Sequence, residues 1–168
     1  MRAVIIAGTL LLSAAAYADY PHFVSPNHRF EAYTTPNAED GTGMKLFLRR
    51  AKTRNTGVLV FENMRWIDAK WSPDSRFLAV VDHSDGHIAD IYVFGVRAAR
   101  AAQPQITLYH HTPELRTYDV RWDVVDWRVG RREVILSQEV RDQNTHTTKQ
   151  HKIIAHIGNQ PLKLRNPQ

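Results

Sequence analysis

Residues Trp71 to Val96 read WSPDSRFLAVVDHSDGHIADIYVFGV, and their pattern decides the fold. Ser72-Pro73-Asp74-Ser75 is turn chemistry: Pro73 fixes φ, and the Ser and Asp side chains can bond the neighbouring backbone. Phe77 to Val81 is a short apolar run of the residue types that suit a pleated surface. Asp82 to His87 is a polar break containing Gly86. Ala89 to Val96 is a second run, with Tyr92 and Phe94 among its apolar residues. Two such runs with a polar break between them make a hairpin. A lone hairpin is marginal in water, so this one needs neighbours of its own kind.

The chain supplies them. Val24-Ser25-Pro26-Asn27-His28-Arg29-Phe30-Glu31-Ala32 repeats the Ser, Pro, Arg, Phe and Ala of Trp71 to Ala79 in step, at an offset of 47 residues (71 − 24). Asp119-Val120-Arg121-Trp122 echoes Asp68-Ala69-Lys70-Trp71 at an offset of 51 (122 − 71). Such a period matches four-stranded propeller blades, which recur every 40–50 residues or so. In the third unit Trp122-Asp123-Val124-Val125-Asp126 is expected to stand where the Ser-Pro-Asp turn stands in the other two.

The middle unit resembles the blade repeat of TolB-type and WD40-like propellers. That repeat pairs a Ser-Pro-Asp-x turn with two strands, the second carrying an Asp-Ile-Tyr-Val pattern, here Asp90-Ile91-Tyr92-Val93. The resemblance implies a fold; chemistry has to be argued from the site.

Taken in order, the expected strands are 21–25, 29–35, 44–50 and 57–61 in the first unit. The second unit has 66–71, 77–81, 89–96 and 106–110. The third has 117–122, 133–140, 152–157 and a short last strand at Leu162-Lys163-Leu164. Residues 125–130 read as an expanded turn, and 141–150 as a loop or hairpin tip. The fold class expected is all-β, with about three four-stranded antiparallel blades in a partial or compact propeller-like assembly. Closed propellers have about 4–8 blades, so three leave sheet edges open, which proteins cover or use for pairing. A protein partner is expected on those grounds, and a homodimer would serve equally.

The 168 residues suit one domain. Residues 1–18 read as a signal peptide: Arg2, an apolar run from Ala3 to Ala16, and a small-x-small site at Ala16-Tyr17-Ala18. Residues 19–168 are then the single β domain, and the expected location is periplasmic. There is no cysteine, so neither a disulfide nor lipidation at a cysteine is available. The net charge of +5 reflects scattered arginines rather than a basic stripe, so neither nucleic acid nor membrane insertion is expected.

The residues that carry chemistry do not assemble into a known pattern. Nine histidines lack the spacing of a zinc site: His83 and His87 flank a glycine-containing turn, and His110 and His111 point to opposite faces of a strand. Ser84 between His83 and Asp85 has the composition of a catalytic triad, but neighbours on an extended chain diverge. There is no Gly-rich phosphate loop. Asp68 and Asp119 occupy equivalent repeat positions and are expected to bond turn or neighbouring-strand backbone. The expectation is therefore a protein that is not an enzyme and needs no metal or cofactor.

The overall plan of leader, repeated blades and small size resembles the periplasmic immunity proteins of type VI secretion, partners of secreted peptidoglycan amidases. In that family a loop between the two central strands of a blade can enter the amidase cleft. By position, the matching partner-binding loop is Asp82, His83, Ser84, Asp85, Gly86 and His87. The function so implied is an immunity or inhibitor protein that occludes the cleft of a toxic cell-wall hydrolase. The alternative is a TolB-like accessory or scaffold module that binds an envelope protein.

Overall fold

The computed structural model describes residues 20–37, 43–63, 65–83, 89–98, 103–112, 119–142 and 144–158. The protein is all-β, in three antiparallel sheets. The first blade runs β1 (His22–Val24), β2 (Phe30–Pro36), β3 (Met44–Arg50), β4 (Val58–Asn63); the second runs β5 (Trp66–Trp71), β6 (Phe77–His83), β7 (Asp90–Ala98), β8 (Pro104–His111). The third holds β9 (Asp119–Arg128), β10 (Glu133–Arg141) and β11 (Thr148–His156). Each strand pairs with the next in sequence, so every sheet is a meander.

The third blade departs from expectation at residues 125–128 and in the place of its turn. Residues 125–128 are strand, not turn: β9 continues to Arg128, and a bulge at Ile135/Leu136 takes up Val125 as the extra residue. Of the two readings of 141–150, the hairpin tip holds: Arg141 pairs with Thr148. Among the described residues this blade has three strands; the expected fourth, Leu162–Leu164, lies outside them.

The turns show how the repeat is built. In the first blade the Ser25 hydroxyl accepts the Phe30 N–H at 3.0 Å and donates to Asn27 Oδ1 at 2.9 Å, and Asn27 Oδ1 also accepts the Arg29 N–H at 3.0 Å. In the second, Ser72 accepts the Phe77 N–H at 2.9 Å and donates to Asp74 Oδ1 at 2.7 Å, which accepts the Arg76 N–H at 3.2 Å. The third keeps the backbone and drops these side chains. Arg132 N–H reaches Val129 O at 3.0 Å, as Ser75 N–H reaches Ser72 O and His28 N–H reaches Ser25 O, both at 2.8 Å. His28, Ser75 and Arg132 share the left-handed conformation, with φ of 55°, 59° and 52°. They are spaced by 47 and 57 residues (75 − 28 and 132 − 75), so the third turn sits at Val129–Arg132, and not at Trp122–Asp126. The first two turns also touch: Asn27 N–H donates to Ser75 Oγ at 3.0 Å.

Ser25 and Ser72 are fully buried, so truncating either leaves the buried N–H of Phe30 or Phe77 without its side-chain acceptor and takes one of two donors from the Asn27 or Asp74 oxygen. Ser72→Ala is expected to cost about 1–3 kcal/mol, read as a lower urea midpoint at unchanged m-value. Gly130→Ala, where an added Cβ meets nothing within 4 Å, is the matched control and should leave the midpoint unchanged.

Two cores hold the blades face to face. Phe30, Ala32, Leu46 and Leu48 of the first blade pack on Ile67, Ala69, Trp71, Leu78, Val80, Phe94 and Val96 of the second. The other face of the second blade (Phe77, Ala79, Val81, Ile91, Val93) packs on Val120, Trp122, Val124, Trp127, Val134 and Leu136 of the third. The middle blade is thus covered on both sides, which is why β6 reads as an unbroken apolar run rather than an alternating one. Trp71 fastens its inner edge: the indole stacks on Phe30 with centroids 6.2 Å apart, and its N–H donates to Phe23 O at 2.7 Å. Lys70 closes the other seam, its ammonium donating to Val125 O at 2.8 Å and Val124 O at 3.3 Å.

Candidate interaction surface

The β6–β7 loop named from the sequence springs from a hairpin whose β6 is buried from Phe77 to Asp82. Asp82, at the end of β6, is buried and stands across from Ile67 on one side and Asp90 on the other. Thr112 secures the far stem: its Oγ1 accepts the Ile91 N–H at 2.9 Å and donates to Asp90 Oδ1 at 3.3 Å. Ala89 then bridges to Arg121 in parallel, its N–H reaching Val120 O at 3.2 Å while its carbonyl accepts the Trp122 N–H at 3.1 Å. Both stems are therefore fixed, one in the second blade and one against the third. Ser84, Asp85, Gly86 and His87 lie outside the described residues.

Asp82 and His83 are placed differently from each other. Asp82 belongs to the stem; His83 is half-buried and belongs to a surface the sequence did not reveal. Trp66, directly across from His83 on β5, is 64% exposed, with its ring edge-on to the imidazole at a centroid distance of 5.8 Å. The buried positions of β5 are Ile67, Ala69 and Trp71. Trp66 shares its face with Asp68 and Lys70. The clue was parity: Trp66 falls on the even positions, with the two charges.

Asp68 and Asp123 are each fixed by the N–H of the next residue, Ala69 at 2.7 Å and Val124 at 2.6 Å. For Asp68 the backbone partner is the next residue of its own strand, not the turn or neighbouring-strand backbone expected from sequence. Both act on His83, Asp68 from the adjacent strand and Asp123 from β9. Burial pushes the His83 imidazole below its ordinary value of 6.5, more than these carboxylates raise it, and Arg121 lowers it further. Arg121 also lines a polar depression of about 160 Å³ with Asp119, Glu139, Arg141, His146 and Thr148.

The sign of the linkage follows. As pH falls below 6.5, the unfolded chain takes up a proton that the folded imidazole resists. His110, lowered by burial and by the neighbouring His111, acts in the same sense. Stability contributed by these two groups is present above that pH and is lost as pH falls through their folded values. The measurement is an NMR titration of the imidazole protons. His83 should titrate below 6.5, and Asp68→Asn, which removes the stronger of the two supporting charges, should move it lower still.

Among the described residues no group of three or more His, Cys, Asp or Glu is arranged to hold a metal ion, and no helix is long and apolar enough to cross a membrane.

No family model matches the chain, and no curated protein matches it. Solved structures similar to it include a candidate 6-phosphogluconolactonase from Bacteroides uniformis, at 13% identity and TM-score 0.38, over 84% of this chain and 43% of that one. Hsv2 from Kluyveromyces lactis is similar at 18% identity and TM-score 0.31, over 82% of this chain and 47% of that one. Hsv2 from Kluyveromyces marxianus is similar at 17% and 0.27, over 82% and 48%. This chain spans less than half the length of each, and at these scores none of them bears on its chemistry.

Proposed function

We propose that this protein is an exported, non-catalytic binding module that neutralises a toxic cell-wall hydrolase by filling its cleft with the β6–β7 loop. One observation carries the reading: both stems of that loop are locked. The β6 stem is buried in a blade covered on both faces, and the β7 stem is hydrogen-bonded to β9. A short polar loop on such a base enters a cleft with little ordering cost, the condition under which a small insertion binds tightly. The partner is a secreted peptidoglycan amidase, and the compartment is the periplasm.

The test is affinity capture of the mature chain from its own envelope fraction, followed by identification of what is retained and a hydrolysis assay. Retention of a peptidoglycan hydrolase that loses activity in the complex supports the reading; retention of a protein with no hydrolytic activity sinks it. With the hydrolase in hand, the double change Ser84→Trp, Asp85→Lys should cost about 2 kcal/mol or more of binding, roughly a thirtyfold rise in Kd. An unchanged Kd moves the interface off the loop.

A second reading has its own observation. The third blade ends on β11, nine residues long, exposed along most of its length and with no strand beyond it among the described residues. Such an edge suits strand addition by an envelope protein, as a TolB-like accessory module would use it.

A further inference from the structure

Val24 is 47% exposed, although its counterpart in the middle blade is buried. The matching turns set Val24 where the second blade has Trp71, and the rest of the row follows. Val24, Glu31 and Arg49 stand side by side on β1, β2 and β3, as Trp71, Leu78 and Phe94 do on β5, β6 and β7. In the middle blade that row is apolar, buried and packed on the first blade. In the first blade it carries an ion pair: Arg49 Nε donates to Glu31 Oε2 at 2.8 Å, and His22 Nδ1 lies 2.6 Å from Glu31 Oε1. Burial raises the Glu31 carboxyl, but hydrogen bonds and charge from Arg49 and His22 outweigh it and hold it below its ordinary 4.5. Covering such a row with another blade would strip the hydration from both charges, so this face is not made for one. The row borders instead a depression of about 450 Å³, which two turns complete with His28, Ala51 and Lys52. That size falls within the range of about 300–1,000 Å³ over which small-molecule sites occur. The turns are tied together, Ala51 N–H donating to Arg29 O at 3.0 Å. Charge around the depression is unbalanced. Both Glu31 oxygens are engaged, whereas the Lys52 and His28 side chains make no hydrogen bond or ion pair among the described residues, and Arg49 donates there from Nε alone. Val24 and Ala51 add apolar lining.

We propose that this depression on the first blade binds a small organic oxyanion, a carboxylate or phosphate ester with an apolar body. The anionic end takes the Lys52 ammonium and the terminal N–H groups of Arg49, whose planar fork fits two oxygens at once. The apolar body lies on Val24 and Ala51. His28 adds to the attraction when protonated, and Glu31 opposes it little, its charge being met already by Arg49 and His22. The site uses no residue of the β6–β7 loop and stands whether or not that loop enters a cleft.

The probes are N-acetyl-leucine and phenyl phosphate, each titrated into the whole chain at neutral pH and low salt. The signals followed are the backbone N–H groups of Ala51, Lys52 and Thr53 and the Val24 methyls. At least one probe should shift them saturably, and the tighter of the two names the oxyanion. The neutral partners, N-acetyl-leucinamide and phenol, should leave them unmoved. Lys52→Gln should weaken the anion about fivefold, the effect of removing one exposed ion pair, and Lys52→Arg should restore it. Lys149→Gln removes the same charge from an exposed position of the third blade and should change nothing. Equal shifts with the neutral partners, no saturable shift with either anion, an equal loss in Lys149→Gln, or inorganic phosphate binding as tightly as phenyl phosphate would each overturn the proposal. The comparison of charged with neutral probes uses the unaltered protein, so it decides the matter even if a variant misfolds.

Discussion

Leu78→Ala should cost about 3–5 kcal/mol and lower the thermal midpoint by roughly 10 °C. Leu78 is fully buried in β6, between Trp71 and Phe94 across the sheet, and its side chain faces the first blade. Removing three carbons there forfeits their transfer energy. It also leaves a cavity that the strand cannot collapse into, because the opposite face of β6 is held by Phe77, Ala79 and Val81 against the third blade. A strand free on one side could shift by a few tenths of an ångström; this one is clamped. Differential scanning calorimetry and urea denaturation report the loss. A cost below about 1 kcal/mol would mean that the blades are not packed as described.

The second large effect comes from a residue with no side chain. At Gly57, just before β4, an added Cβ would lie 2.5 Å from Leu48 O, 2.7 Å from Leu48 C and 3.1 Å from Leu48 N. All three are main-chain atoms of a strand paired on both sides, with Leu48 opposite Ala32 and Val58. No rotamer change relieves the clash, so β3 and β4 must separate, and the Gly57 N–H loses its bond to the Tyr33 hydroxyl at 3.2 Å. Gly57→Ala is expected to cost about 3 kcal/mol by urea denaturation. Gly95→Ala makes a telling comparison. Its Cβ would meet the Tyr109 ring, a side chain that can shift on its own where the Leu48 backbone cannot, so the cost should be smaller. If the two changes cost the same, the close approach at Leu48 is not what selects glycine at position 57.

Much of the architecture was legible because the repeat was local. Met44–Arg50 and Trp66–Trp71 have the limits their alternation predicted, and the Ser-Pro turns hold the bonds their residue types promised. The third blade was misread for one reason. Val125 breaks the alternation of β9, which looks like the end of a strand, whereas pairing with β10 absorbs it as a bulge. Its turn was placed a few residues early because Val129-Gly130-Arg131-Arg132 holds the backbone shape with none of the side-chain pins. The surface around Trp66 was beyond sequence reading for a different reason. Asp123 and Arg121 are more than 35 residues from His83, and only the seam between two blades brings them near it. The loop was named by position alone; its stems are fixed, and Ser84 to His87 lie outside the described residues.

The covered middle blade also sets an order of events. Every sheet is a chain of neighbouring hairpins, so strand pairing demands only short-range encounters, which are fast. The face-to-face joins are long-range, and both run through Phe77 to Val96. Until that hairpin is in place, the first blade shows water the apolar side carrying Phe30, Leu46 and Leu48, and the third shows Val120, Trp122 and Leu136. The slow step of folding is then a single docking event at the centre of the chain, and the halves on either side are the species most exposed to aggregation while they wait for it.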